Sequence, residues 1–159
     1  RGPYSGKLAA LFLYLKGEKV MLKETRTYKD FDGKERTEDF YFNLSKAELM
    51  ELEASVDGGW LNSMKRIISA QNNPAIMREF KNMILSSYGE KSPDGKRFIK
   101  SPELSKAFSE TEAYSDMFVE FFQHPDRAAK FFAGILPAEL KAEFADAIAA
   151  DGAALPAQS

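Results

Sequence analysis

Cysteine is absent from the 159 residues. Its absence removes disulfides, thiolate metal sites and cysteine nucleophiles together and fits a reducing compartment. Histidine occurs once, at His124, before Pro125 at an expected helix break. A nucleophile–base–acid arrangement would need that imidazole beside a serine and a third orienting group, and nothing around it suggests one. One histidine and carboxylates scattered over polar faces do not supply the clustered ligands of a zinc site, and no acidic loop has calcium-binding spacing. Neither Gly33 nor Gly58-Gly59 belongs to a strand–loop–helix with phosphate-loop spacing. The acidic pairs Glu51/Glu53 and Glu110/Glu112 lie two apart and so point to different sides of a helix. No catalytic residue, cofactor or metal is therefore expected. Charge of one sign is lacking too: 22 basic residues stand against 24 acidic ones, net −2, which gives no field able to hold a phosphate backbone and argues against nucleic acid. The longest apolar run, Leu8 to Leu15, is far below the roughly 20 residues of a membrane-spanning helix. It follows Arg1 and Lys7 in the manner of a signal peptide, but no small-x-small cleavage site precedes Lys16-Gly17-Glu18-Lys19.

What is present is ordinary for a globular chain, 44% hydrophobic and 29% charged residues, in a length that suits one domain. The expected division is an N-terminal extension over 1–20, a single mainly helical domain over 21–150, and a frayed tail over 151–159. Met21 is a candidate natural start, and the run Leu8 to Leu15 is equally readable as a buried strand or short helix.

Two extended runs rich in Thr, Tyr, Phe and Val flank Asp32-Gly33. They predict a β-hairpin, because glycine accepts positive φ in a tight turn and Phe40, Phe42 and Leu44 alternate with Tyr41 and Asn43. Ser45-Lys46-Ala47-Glu48 has capping-box spacing and opens a helix along Leu49, Leu52 and Val56, ended by Gly58-Gly59. Trp60 opens a second helix with Leu61, Met64, Ile67 and Ile68 on one face. A third, capped by Asn73 with Pro74 in its first turn, carries Ile76, Met77, Phe80, Met83, Ile84 and Tyr88 and stops at Gly89. Ser92-Pro93-Asp94-Gly95 is a turn, and Arg97 to Lys100 reads as an extended link. Further helices are expected from Ser101-Pro102, from a second capping box at Ser109-Glu110-Thr111-Glu112, from Ala128 to Leu136 after the break at His124-Pro125-Asp126, and from Pro137. The expected fold is a mainly α compact bundle of about five to seven helices with a small N-terminal β-hairpin.

Thirteen phenylalanines and six methionines suit a core and suit an adaptable protein-binding surface equally well. Phe118, Phe121, Phe122, Phe131 and Phe132 exceed what a short helix pair requires, and they are the candidate protein-binding residues, since clustered aromatics tend to anchor interfaces. Lys91, Lys96, Arg97 and Lys100 gather near the central link. A solvated loop is the simpler account of them, and a site for an acidic partner the alternative.

Several stretches resemble the tail assembly chaperones of siphophages: Asn43-Leu44-Ser45-Lys46-Ala47-Glu48-Leu49, then Gly58-Gly59, then the block from Ile84 through Ser101-Pro102-Glu103-Leu104 to Thr111-Glu112-Ala113-Tyr114-Ser115. The central part is the most specific, with Leu85-Ser86-Ser87-Tyr88-Gly89-Glu90-Lys91-Ser92, Asp94-Gly95-Lys96-Arg97-Phe98-Ile99-Lys100 and Ala129-Lys130-Phe131-Phe132-Ala133-Gly134-Ile135-Leu136-Pro137. The similarity runs from about Met21 to Leu140, and residues 1–20 depart from it. It implies a non-enzymatic helper in the host cytoplasm that binds the tape measure protein, keeps it soluble, recruits the major tail protein and is absent from the mature virion. It also implies a longer, frameshifted form of the chain as a partner. A small helical module with apolar grooves suits such a client. A structural tail or connector subunit that self-assembles into the virion is the competing expectation.

Overall fold

The computed structural model describes residues 21–137. The run Leu8 to Leu15, the helix expected from Pro137 and the tail at 151–159 fall outside the described residues. Strands β1 (Leu22–Lys29) and β2 (Glu35–Phe42) form the predicted hairpin, antiparallel from Leu22↔Phe42 to Lys29↔Glu35. The Asp30 carboxylate closes the turn by accepting from the Asp32 and Lys34 amides at 2.9 Å and from Arg36 Nε at 2.6 Å, while Gly33 takes φ +82°. The Arg36 hydrogen bond, then the Lys34 amide, holds the Asp30 carboxyl below its usual range.

Six helices are described. In chain order they are α1 (Lys46–Ala54), α2 (Trp60–Ser69), α3 (Asn73–Ser87), α4 (Pro102–Ser109), α5 (Glu112–Gln123) and α6 (Pro125–Ile135). The capping box at Ser45 forms in both directions, Glu48 N to Ser45 Oγ at 3.1 Å and Ser45 N to Glu48 Oε1 at 2.9 Å. Ser101 caps α4 through Leu104 N. Two caps differ from expectation. Asn72 rather than Asn73 caps α3, accepting from Ala75 N, because Asn73 already lies in the first turn. Thr111 alone caps α5, accepting from Tyr114 N, whereas Ser109 is still helical in α4 and its hydroxyl donates back to the Lys106 carbonyl. A hydroxyl serves as an N-cap only where its own backbone has left the helix.

The sheet is larger than a hairpin. Tyr88–Lys91 leaves α3 as strand β3, and Phe98–Ile99 forms β4, so four antiparallel strands run in the order β1-β2-β3-β4. The expected stop of α3 at Gly89 is a switch to strand at Tyr88, and the expected link is a second hairpin. Its turn is closed by Ser92 N to the Arg97 carbonyl at 2.8 Å and by the Asp94 carboxylate, which accepts from Ser92 Oγ and Lys96 N. Gly89 makes β3 possible. A Cβ there would stand 2.7 Å from the Ile99 carbonyl oxygen and 2.8 Å from the Phe98 ring.

One face of the β1–β2 hairpin, bearing Leu22, Phe40 and Phe42, meets the helices: α5 and α6 pack on β1, α4 packs on β3, and α3 lies against α4 and α5. Phe42 is fully buried and central, with its ring edge-on to Phe131 at 5.0 Å and to Phe108 at 5.8 Å. Tyr88 stacks flat on Phe108 at 4.3 Å. Offset and edge-on aromatic pairs of this kind each add about 1 kcal/mol beyond the area they bury.

Candidate functional site

The aromatic cluster expected as a binding groove is the centre of the core. Helices α5 and α6 meet at His124, whose backbone amide closes α5 on the Glu120 carbonyl and whose own carbonyl accepts from Arg127 N and Ala128 N. The two helices pack together over the sheet. Met117 and Phe121 of α5 and Ala128, Phe131, Phe132 and Ile135 of α6 all lie buried. The Phe121 ring is 4.7 Å from Phe131, and Phe132 sits edge-on to Phe80 at 5.0 Å. Phe121, Phe131 and Phe132, exposed by 0%, 1% and 1%, therefore present no surface to a partner; the helical spacing that groups them also turns them inward. Phe118 and Phe122 are half-buried at the rim of this core, against Tyr114 and Phe80 respectively. Among the described residues, the exposed large apolar side chains are Phe31 at the hairpin tip, 76% exposed, Met50 on α1, 73% exposed, and, less fully, Val119 and Met77.

The basic group around the link is divided. Lys100 Nζ reaches the Glu48 carboxylate at 2.8 Å and the Asn43 carbonyl at 2.7 Å, which ties the start of α1 to β4. Burial raises the Glu48 carboxyl, but the Lys100 and Ser45 hydrogen bonds outweigh it and leave the group below its usual range. Lys91 Nζ lies 4.6 Å from the centre of the Tyr41 ring. Lys96 and Arg97 are exposed on the turn.

Sequence reasoning missed two features. The first is a ring of alternating charge. Arg26 donates to Glu24 at 3.0 Å and to Glu120; Arg127 donates to Glu120 at 2.8 Å and to Glu24 at 3.3 Å. Both guanidinium groups lie against the Phe121 ring, 5.7 and 5.5 Å from its centre. The ring joins β1 to α5 and α6. Its one sequence signal, Glu24 and Arg26 two apart on a strand, equally describes a solvent face.

The second is a notch where the sheet divides. β2 pairs with β3 only through Tyr41↔Gly89 and Phe42↔Tyr88, after which β3 turns to β4 through Glu90↔Ile99 and Lys91↔Phe98. The gap between the two hairpins has a volume of 530 Å³. Phe40 and Tyr88 line it together with Glu38, Asp39 and Glu90. Burial, then the negative charges of Glu90 and Glu38, raises the Tyr88 hydroxyl above its ordinary value.

Among the described residues no three His, Cys, Asp or Glu side chains gather as a metal site, and no helix is long and apolar enough to cross a membrane. No curated protein and no solved structure matches the chain. A family model described as phage tail assembly chaperone matches residues 21–158, nearly all of the sequence. The chain thus belongs to the phage tail assembly chaperone family.

Proposed function

We propose that this chaperone binds the tape measure protein in the host cytoplasm, keeps it soluble, recruits major tail protein subunits to it, and leaves before the virion is complete. The observation that carries the reading is the family match over residues 21–158. Exposed apolar side chains at Phe31 and Met50 support it, since a client held in transit needs contacts of moderate area that release again. A family of chaperones implies a non-catalytic role, and the chain acts by binding alone. A longer frameshifted form would share residues 21–137 and present the same surfaces. The test is co-expression with the tape measure protein and major tail protein, followed by pull-down and sizing. A soluble complex with the tape measure protein is expected. Ordered self-assembly of the chain without client binding would overturn the reading in favour of a structural subunit.

A further inference from the structure

The notch between the two hairpins exposes backbone. In the β1–β2 ladder the Asp30 amide donates to the Lys34 carbonyl, so the even-numbered residues of β2 bond to β1. Asn43 N donates to the Ser87 carbonyl on the other side, which places the N–H and C=O groups of Tyr41, Asp39 and Thr37 along the β3 side of β2. Tyr41 meets β3, but β3 then departs. Asp39 and Thr37 consequently face the notch with no strand partner on that side among the described residues. Alternation puts Phe40 and Glu38 on the same face as Tyr88 and Glu90. The floor is therefore aromatic and the rim acidic: Glu38 accepts from the Tyr28 hydroxyl at 2.7 Å and stands 3.9 Å from Arg36, Glu90 is exposed, and Lys91 is drawn to the opposite face over Tyr41. The outer edge of β1 differs: Lys23 and Lys29 stand at its two ends, a usual guard against strand pairing.

We propose that the β2 edge of this notch takes an extended, lysine- or arginine-bearing segment of a client polypeptide as an added strand. Main-chain hydrogen bonds to Asp39 and Thr37 supply the affinity of such an addition, and side chains at alternate positions supply its specificity. A long basic side chain of the incoming strand lays its methylenes on Phe40 and Tyr88 and brings its charge to Glu90. The occupant is cationic because an acidic or purely apolar strand would leave the Glu90 carboxylate facing like charge or stripped of water. The inference rests on the client-binding reading and gives it a site.

The full chain is titrated with a fluorescent peptide of alternating Lys and Val, with the same peptide carrying Glu for Lys, and with the Lys peptide N-methylated at every second residue. Saturable binding of the Lys peptide alone is expected, with protection of the Asp39 amide from hydrogen exchange. Glu90→Lys should weaken binding at least tenfold while leaving the melting temperature at the wild-type value, because Glu90 is exposed and supports no packing. Asp39→Pro should abolish binding, and its far-ultraviolet spectrum should stay that of wild type because the lost N–H points into the notch. Equal binding of all three peptides overturns the proposal, as does unchanged affinity in Glu90→Lys. Failure of the full chain to bind any peptide, including failure because the edge is taken by its own terminal segment or by a second copy seen on sizing, overturns it too. Co-expression separates the two levels. Wild type and both variants holding the tape measure protein equally well would sink the notch and spare the client reading. Loss of client in wild type, with peptide binding intact, would do the reverse.

Discussion

Replacing Glu120 by Gln keeps the shape of the side chain and removes the charge shared by Arg26 and Arg127. Both guanidinium groups would then depend on Glu24 alone, in a place where the four side chains retain only 11–32% exposure. Removing one partner of a fully buried ion pair costs about 3–5 kcal/mol. The remaining exposure and the hydrogen bonds a glutamine still accepts reduce this to roughly 2 kcal/mol. At this chain length about 3 °C of melting temperature accompanies each kcal/mol, so a fall of about 6 °C is expected at pH 7. Burial raises the Glu120 carboxyl, but the hydrogen bonds from Arg127 and Arg26 prevail and set it below its usual range. A depressed folded-state pKa gives stability that is complete above the unfolded value, about 4.3 for glutamate, and is lost as pH falls through the lower folded value. The gap between wild type and Glu120→Gln should therefore close as melts are carried from pH 7 to below pH 4. Chemical denaturation at both pH values measures it. A difference under about 0.5 kcal/mol at pH 7, the range of an ordinary surface substitution, would refute the assignment of this ring as a structural lock between β1 and the α5–α6 pair.

Phe121→Ala should cost about 3–5 kcal/mol, as deletion of a fully buried ring does, whereas Phe122→Ala at the rim should cost less than half as much; urea unfolding of the two variants compares them. Gly89→Ala forces a methyl group against the Ile99 carbonyl and the Phe98 ring, and a loss of about 1–3 kcal/mol is expected in thermal melts. Thr111→Ala should destabilise by about 1 kcal/mol and Ser109→Ala by a few tenths at most, since only Thr111 caps α5. Reversing that order in equilibrium unfolding would show that the cap had been misplaced.

Local chemistry was legible from residue order. The capping box at Ser45, the caps that precede Pro74 and Pro102, and the alternation of Phe40, Phe42 and Leu44 each depend on neighbours a few residues away, and the structure repeats them with shifts of one or two positions. Thr111 shows the limit even there. Two hydroxyls had suitable spacing, and which one left the helix depended on where α4 stopped. Resemblance in the central block also named the family correctly, because a run of specific residues carries that information without any coordinates. The sequence left open whether its surplus phenylalanines faced a partner or the core. Helical spacing brings Phe121, Phe131 and Phe132 to one side of their helices but does not say what covers that side; Phe42 and Phe80, from distant parts of the chain, cover it. The same holds for β3 and β4, each too short to show a period, β3 pairing on the edge of β2 and β4 on that of β3, and for Glu24 and Arg26, whose partners lie some 100 positions away at Glu120 and Arg127. Contacts within a turn of helix or strand are written in the order of residues, whereas the sense of an apolar face, the pairing of a short strand and the neutralisation of a half-buried charge are fixed by whatever the folded chain brings opposite them.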